Sequence, residues 1–385
     1  MSDAPTVDLL IVGGGINGVG IARDAAGRGL KVLLVERDTL AAHTSSASSK
    51  LIHGGLRYLE QGAVGLVRES LRERERLMRI APTLVRPIEF VMPMDGAPRA
   101  AWMVGVGLAI YDRLGGANSL PRSRKLDLAR DPLGDGLIQR GPAFAYWDCR
   151  VDDRRLVELN GADAVRRGAA IRIGTELLEA RRTGDRWQAR LSKGETVSAK
   201  VLVNAAGPWV NEVTKRTGVT PRGRARLVKG SHIVLPALFP GDHGFLLQNH
   251  DRRVIFAIPH EKGTMIGTTD VPVDAPEAAP AISAAETRYL LAVVQRWFRN
   301  SVTESDIVAS WSGIRSLYDD GKSDPSRVTR DYKLDLDRDG PPLLTIFGGK
   351  ITTFRRLAED AVDRLADEFP VMDRAWTGGA PLPGG

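Results

Sequence analysis

Gly13, Gly15 and Gly18, followed by Glu36, have the types and spacing to hold a pyrophosphate and the sugar beyond it. In a G-x-G-x-x-G turn the first glycine allows the tight bend, the second lets the backbone approach the pyrophosphate, and the third lets helix and strand pack closely. Glu36 stands where a carboxylate can accept hydrogen bonds from the adenosine ribose hydroxyls. The flanking residues supply the elements such a turn needs. Val7–Val12 is an apolar run of the length of a buried parallel strand, Ile16–Arg28 reads as a helix with small residues on its inner face, and Lys31–Val35 is a second apolar strand. The helix N-terminus then offers free N–H groups and a partial positive charge to an anion. A lone glycine motif is weak, but one framed by strand, helix, strand and acid is specific. The first thirty-odd residues therefore predict a dinucleotide site.

Residues 44–59, TSSASSKLIHGGLRYL, add a hydroxyl-rich stretch (Thr44, Ser45, Ser46, Ser48), then Lys50, Leu51 and His53, a Gly-Gly pair, Arg57 and Tyr58. Such hydroxyls can bond phosphate and ribitol oxygens, and a solvated linker would not run straight into the apolar Leu51–Leu59. Nearly residue for residue, this loop resembles the flavin loop of FAD-dependent, quinone-linked aerobic glycerol-3-phosphate dehydrogenases. Further similar motifs follow in order: WDCRVDDRRLV (147–157), VNAAGPWV (203–210), KGSHIVLP (229–236), IGTTD (266–270), SGIRSL (312–317), TRDYKLD (329–335) and FGGKITTFRRLAE (347–359).

The resemblance covers essentially the whole chain. It implies an α/β fold with a Rossmann-like FAD-binding domain of the glutathione-reductase/D-amino-acid-oxidase kind and an inserted antiparallel β substrate domain. It also implies non-covalent FAD, oxidation of sn-glycerol 3-phosphate to dihydroxyacetone phosphate, and electrons passed to a quinone. Substrate contacts implied by it are Arg57, Tyr58, Arg315, Arg330 and Lys350. Flavin contacts implied later in the chain are Ala206, Gly207, Trp209, Gly348, Gly349, Lys350, Ile351 and Thr352. Planar Arg forks suit a phosphate because each donates two bonds at once. The group that takes the hydroxyl proton stays open among His53, His232, Lys350 and Arg315, and His43 would be the anchor were the flavin covalent. Two rival readings remain. One is a related FAD-dependent 2-hydroxy-acid or amino-acid oxidase, and the other is a flavin-binding fragment without turnover.

The order of elements predicts FAD-domain segments at 1–80, 151–224 and 311–370, a substrate domain at 81–150 and 225–310, and a Gly/Pro-rich linker at 371–385. In the family that linker leads to a helical C-terminal domain. The 385 residues carry a net charge of +7, and 43 of the 54 basic residues are Arg. This favours anionic partners, phosphate or an anionic membrane surface. No basic stripe interleaved with aromatics points to nucleic acid, and no H-x-x-x-H or C-x-x-C spacing points to a metal. The single Cys149 cannot form an intrachain disulfide and is read as a packed, inert thiol. Met1–Thr6 lacks the basic flank of a signal peptide. The expected location is cytoplasmic, peripheral on the inner face of the cytoplasmic membrane, and self-association as a homodimer stays open. Ala100–Tyr111, AAWMVGVGLAIY, is too short to span a bilayer. It is read as a buried core helix, with an element in a membrane interface as the alternative.

Overall fold

A computed structural model describes residues 5–319 and 331–384. Its first sheet has a parallel centre of five strands, β1 (Thr6–Val12), β2 (Val32–Val35), β7 (Ala170–Arg172), β10 (Thr196–Asn204) and β18 (Leu343–Phe347), in the order β18-β10-β1-β2-β7. Leu9 faces Val32 on one side and Val201 on the other. These strands read as unbroken apolar runs because both faces are covered. Helices α1 (Ile16–Gly27), α4 (Asp153–Arg166) and α7 (Phe354–Asp363) close one face over Leu9, Ile11 and Leu344. The antiparallel hairpin β8 (Leu177–Thr183) and β9 (Arg186–Leu191), which turns at Gly184, closes the other with Trp187. β17 (Lys333–Asp337) adds an antiparallel edge to β18, and the short helix α5 (Val210–Lys215) follows β10.

The second sheet holds β3 (Leu51–Ile52), β4 (Val85–Pro93), β5 (Arg124–Asp127), β6 (Pro142–Val151), β11 (Ala225–Leu235), β12 (Gly244–Gln248), β13 (Val254–His260), β14 (Gly263–Gly267), β15 (Val271–Val273) and β16 (Ala309–Tyr318). It is antiparallel except where β12 runs alongside β4. Helix α6 (Ala284–Trp297) packs on one face with Leu290, Val294 and Trp297. On the other face lie α2 (Val64–Ile80) and α3 (Ala101–Leu114). Two strands from ranges read as the FAD domain cross into this sheet: β3 pairs with β6, and β16 pairs with β11 along its whole length. Those crossings bring the flavin-loop residues and Arg315 to the seam between the sheets.

Three further readings meet the structure differently. Residues 353–368 read in sequence as one helix, but α7 ends at Asp363 and the chain resumes as a 3-10 turn at Ala366–Glu368. Residues 371–384, read as a linker, lie against the body. There Trp376 sits over the guanidinium groups of Arg23 (4.8 Å) and Arg167 (3.7 Å), and Leu382 is buried with its N–H on Ile80 O. Finally, α3 is not a core helix. Val104, Leu108 and Tyr111 face inward, but Trp102, Met103, Val106 and Ile110 are 72%, 46%, 53% and 47% exposed. The helix is apolar on both sides as far as Tyr111, and α2 and the second sheet cover only one of them.

Candidate active site

At the nucleotide end, the three glycines do what their spacing implies. Gly13 holds φ +115°, and a Cβ there would lie 2.5 Å from Ala205 O. A Cβ on Gly18 would lie 1.9 Å from Gly13 O, and one on Gly15 would meet Ser45 Oγ at 3.0 Å. The Ser45 hydroxyl in turn accepts the Ile16 N–H at the start of α1. Glu36 Oε2 accepts from Gly14 N at 2.6 Å and Oε1 from Asp38 N at 2.8 Å, so this carboxylate fixes the glycine turn while facing the cleft. The cleft, ≈ 750 Å³, is bounded by Gly13–Gly15, Glu36, Arg37, His43, Ala206 and Trp209. Arg37 covers the Trp209 ring at 3.9 Å and His43 flanks it at 4.6 Å. Both His43 nitrogens have partners, Asp38 Oδ2 at 2.7 Å and Ala278 O at 3.1 Å. Ligand atoms of Glu36, Asp38 and His43 lie within 4.8 Å of one another, but these bonds make the group a brace for the ribose end. Glu36→Gln replaces an acceptor with a donor facing an amide. It should weaken nucleotide retention by about 1.5–3 kcal/mol, read as the dissociation constant of released flavin.

A second, larger opening of ≈ 1790 Å³ shares Gly15, Thr44, Ser45, Ala205, Gly207 and Pro208 with the first. The two form one continuous cleft along the seam of the sheets. Ser48, Leu51, His53, Arg57, Tyr58, Arg315 and the whole Gly348–Thr352 turn line it. Gly348 and Gly349 hold φ +74° and +99°, which lets the chain turn from β18 into α7 with the helix N-terminus at the cavity. Lys350 Nζ lies 4.1 Å from the Tyr58 ring centre. Arg315 Nη1 bonds Asp270 Oδ1 at 2.5 Å and Nη2 donates to Thr268 Oγ1 at 3.1 Å, so the guanidinium is aimed before any ligand arrives.

Three expected contacts point elsewhere. Ser46 Oγ donates to Ala41 O. Lys50, in the left-handed region at φ +54°, turns its ammonium to Asp153 at 2.6 Å. His232 lies behind Ser49, its Nε2 on Ser49 Oγ at 2.9 Å and its ring stacked on Trp311. His232 shares its face of β11 with Gly230, which lines the cavity, but Ser49 stands in front of the imidazole and keeps it out of that space. Arg330 lies outside the described residues. Conversely, Asn17, Arg253, Phe256, Thr268, Asp270 and Ser316 line the cavity without having been singled out. Thr268, Asp270 and Ser316 stood inside quoted motifs. Arg253 and Phe256 carried no local signal, because only the fold brings the start of β13 opposite Tyr58.

Burial, then Lys350 and Arg57, push the His53 imidazole down to about 3 from its ordinary 6.5; burial, then Arg315 and Lys50, do the same to His232. Both rings are neutral when folded, so unfolding takes up protons below pH 6.5. Their contribution to stability is present above 6.5 and is lost as pH falls towards 3. Melting temperature should therefore drop between about pH 7 and pH 4, and His232→Asn should flatten that slope. An unchanged slope would refute a neutral His232.

The residues present fit FAD. The glycine turn leaves room only for backbone, Glu36 stands at the ribose end, and a helix N-terminus faces the far cavity. Asn17 Oδ1 and Ser316 Oγ are buried in that cavity's wall with no hydrogen-bond partner among the described residues. The chain belongs to the FAD dependent oxidoreductase family, whose model matches residues 8–355. It is thus an FAD-dependent oxidoreductase with FAD as its cofactor. Within that class it is 49% identical to the D-erythritol 1-phosphate dehydrogenase of Brucella abortus, over 100% of this chain and 78% of the relative. It is likewise 49% identical to the glycerol-3-phosphate dehydrogenase of Pseudomonas aeruginosa, over 99% of this chain and 76% of the relative. Among solved structures, the glycerol-3-phosphate dehydrogenase from Bacillus halodurans complexed with FAD superposes with TM-score 0.77 at 29% identity, covering 99% of this chain and 68% of that one.

Proposed function

We propose that this enzyme oxidises the secondary alcohol of sn-glycerol 3-phosphate to the ketone of dihydroxyacetone phosphate and passes the electrons to a quinone at the cytoplasmic face of a membrane. The observation that carries the reading is the charge of the cavity wall. Among the described residues Arg57, Arg315 and Lys350 line it with one carboxylate, Asp270, and Arg253 stands at its edge beside Asp251. A monocarboxylate substrate needs one Arg–Tyr pair; a phosphate dianion uses more. FAD, when bound, supplies the hydride acceptor. Arg315, fixed by Asp270 and Thr268, clamps phosphate oxygens, and Arg57 and Lys350 close the other side. A three-carbon substrate has little apolar area, so these contacts set its orientation. His53 is the proton acceptor in this reading. Alone its imidazole is held near 3, but a bound phosphate dianion beside Lys350 and Arg57 raises it, so proton affinity develops with substrate in place.

Anaerobic titration of the purified enzyme with glycerol 3-phosphate tests this, with the flavin absorbance as readout. Bleaching by lactate or glycine ahead of glycerol 3-phosphate would favour a related oxidase, and bound flavin with no bleaching a fragment without turnover. The equal identity to a D-erythritol 1-phosphate dehydrogenase supports a second reading, a four-carbon polyol phosphate, and that compound belongs in the same titration.

The exposed side of α3 supports the membrane reading. Arg113 closes its C-terminal end, and an apolar groove of ≈ 880 Å³ beneath it shares Leu56, Arg57, Leu246 and Val254 with the substrate cavity. No described helix is long and apolar enough to cross a membrane. Such a helix would lie in the lipid interface, held by apolar burial and anionic head groups. Flotation with anionic vesicles should recover the protein, and Trp102→Glu with Ile110→Glu should abolish recovery. Equal recovery of wild type and double variant would exclude α3 as the contact.

A further inference from the structure

No side chain of Trp147–Asp153, the W-D-C-R-V-D-D stretch, lines either part of the cleft. Yet it carries two deeply buried carboxylates, Asp148 and Asp153, and both are aimed at the flavin loop. Asp153 Oδ2 accepts from Ser48 Oγ at 2.7 Å and Ser48 N at 3.2 Å, and its Oδ1 takes Lys50 Nζ at 2.6 Å. At the other end of the loop, Asp148 Oδ1 accepts from Gly54 N at 3.3 Å and from Arg74 Nη1 at 2.9 Å. Tyr111 joins the two: its hydroxyl accepts from Gly54 N at 2.8 Å and donates to Asp148 at 2.8 Å. Between these ends β3 is stitched to β6, Leu51 opposite Arg150 and Ile52 opposite Cys149.

Residues 48–54 are thus gripped from behind at both ends, while Ser48, Ser49, Leu51 and His53 face the cavity. The grip has no slack. A Cβ on Gly54 would lie 2.5 Å from Leu71 Cδ2 and 2.6 Å from Tyr111 Oη. On the cavity side, His53 N donates to Thr352 Oγ1 at 3.2 Å, which ties the same turn to the Gly348–Thr352 segment. A His-Gly-Gly turn with Gly55 at φ +79° has little conformational preference of its own. Buried carboxylates are costly as mere packing, and apolar replacements often serve a core as well. Their placement on loop amides and hydroxyls gives them a task.

We propose that Asp148, acting with Tyr111 and Arg74, and Asp153 are positioning residues that set the depth and orientation of His53 and Ser48 against the flavin. The inference rests on the FAD site and not on which polyol phosphate is oxidised. Tyr111→Phe is the first test in the holoenzyme, because the ring and its packing remain. Asp153→Asn is the second, and acts on the other end of the loop. For each, FAD dissociation constant, flavin reduction potential, visible spectrum and steady-state kinetics are measured beside the melting temperature. Tyr111→Phe should weaken FAD binding about tenfold. It should lower kcat about tenfold while the KM for the phosphate substrate moves less than about twofold. The flavin absorption bands and potential should shift in both variants. A variant that melts lower yet binds FAD with wild-type affinity, spectrum, potential and kcat would show that the network only supports the fold, and would overturn the proposal.

Discussion

Gly18→Ala is expected to purify without its yellow chromophore. The added methyl would sit 1.9 Å from Gly13 O and 3.0 Å from Gly13 C, an overlap with backbone that no rotamer relieves. The Gly13 peptide cannot swing aside. The N–H of the same Gly13–Gly14 peptide, on Gly14, donates to Glu36 Oε2 at 2.6 Å and holds it in place. Helix α1 must therefore back away from the turn, and its N-terminal amides and dipole leave the pyrophosphate. We expect FAD affinity to fall by about 10²-fold or more, measured by reconstituting apoprotein with FAD. Gly65→Ala is the control. A Cβ there meets nothing within 4 Å, and alanine in a helix costs less than glycine. A Gly18→Ala protein with full flavin content would show that the close approach of α1 to the turn is not needed for binding.

Arg315→Ala should lower kcat/KM by about 10²-fold or more, the loss of one charged bidentate partner together with misplacement of the substrate. Arg315 projects from β16 opposite Val228 and reaches past Gly230, where a Cβ would lie 2.6 Å from its Nη2. The route exists because residue 230 has no side chain. Truncation removes the whole fork that Asp270 and Thr268 hold in place, so the substrate loses its aimed partner and its orientation together. Arg315→Lys should recover little, since one ammonium cannot replace a planar fork held on Asp270 and Thr268. Flavin content must be checked in parallel. A variant with full FAD and near-normal reduction by glycerol 3-phosphate would remove the phosphate clamp from the mechanism.

The nucleotide end was legible in the sequence because its chemistry is local. Gly13, Gly15, Gly18 and Glu36 act through backbone conformation and close packing within one strand-helix-strand unit, and the structure carries each of those contacts. The rest of the site was legible only as motifs. His232 and Lys50 stand in motif sequence beside true cavity residues, yet Ser49 covers one and the other turns onto Asp153. The direction of a side chain on a strand or a left-handed residue is fixed by partners far along the chain. Arg253 and Phe256 gave no warning, since nothing near them in sequence marks a site, and Asn17 stood at an unspecified position inside the glycine motif. The apolar run at Ala100–Tyr111 could be read as core or interface, because hydropathy says how apolar a helix is and not how many sides are covered. By itself the sequence determined the FAD-dependent oxidoreductase class and the glycine turn with Glu36 behind it. The tertiary structure alone decided which cations share a cavity, that α3 is left half uncovered, and that Asp148 and Asp153 grip the flavin loop, because those facts depend on pairings such as β3 with β6 and β16 with β11 that join residues distant in the chain.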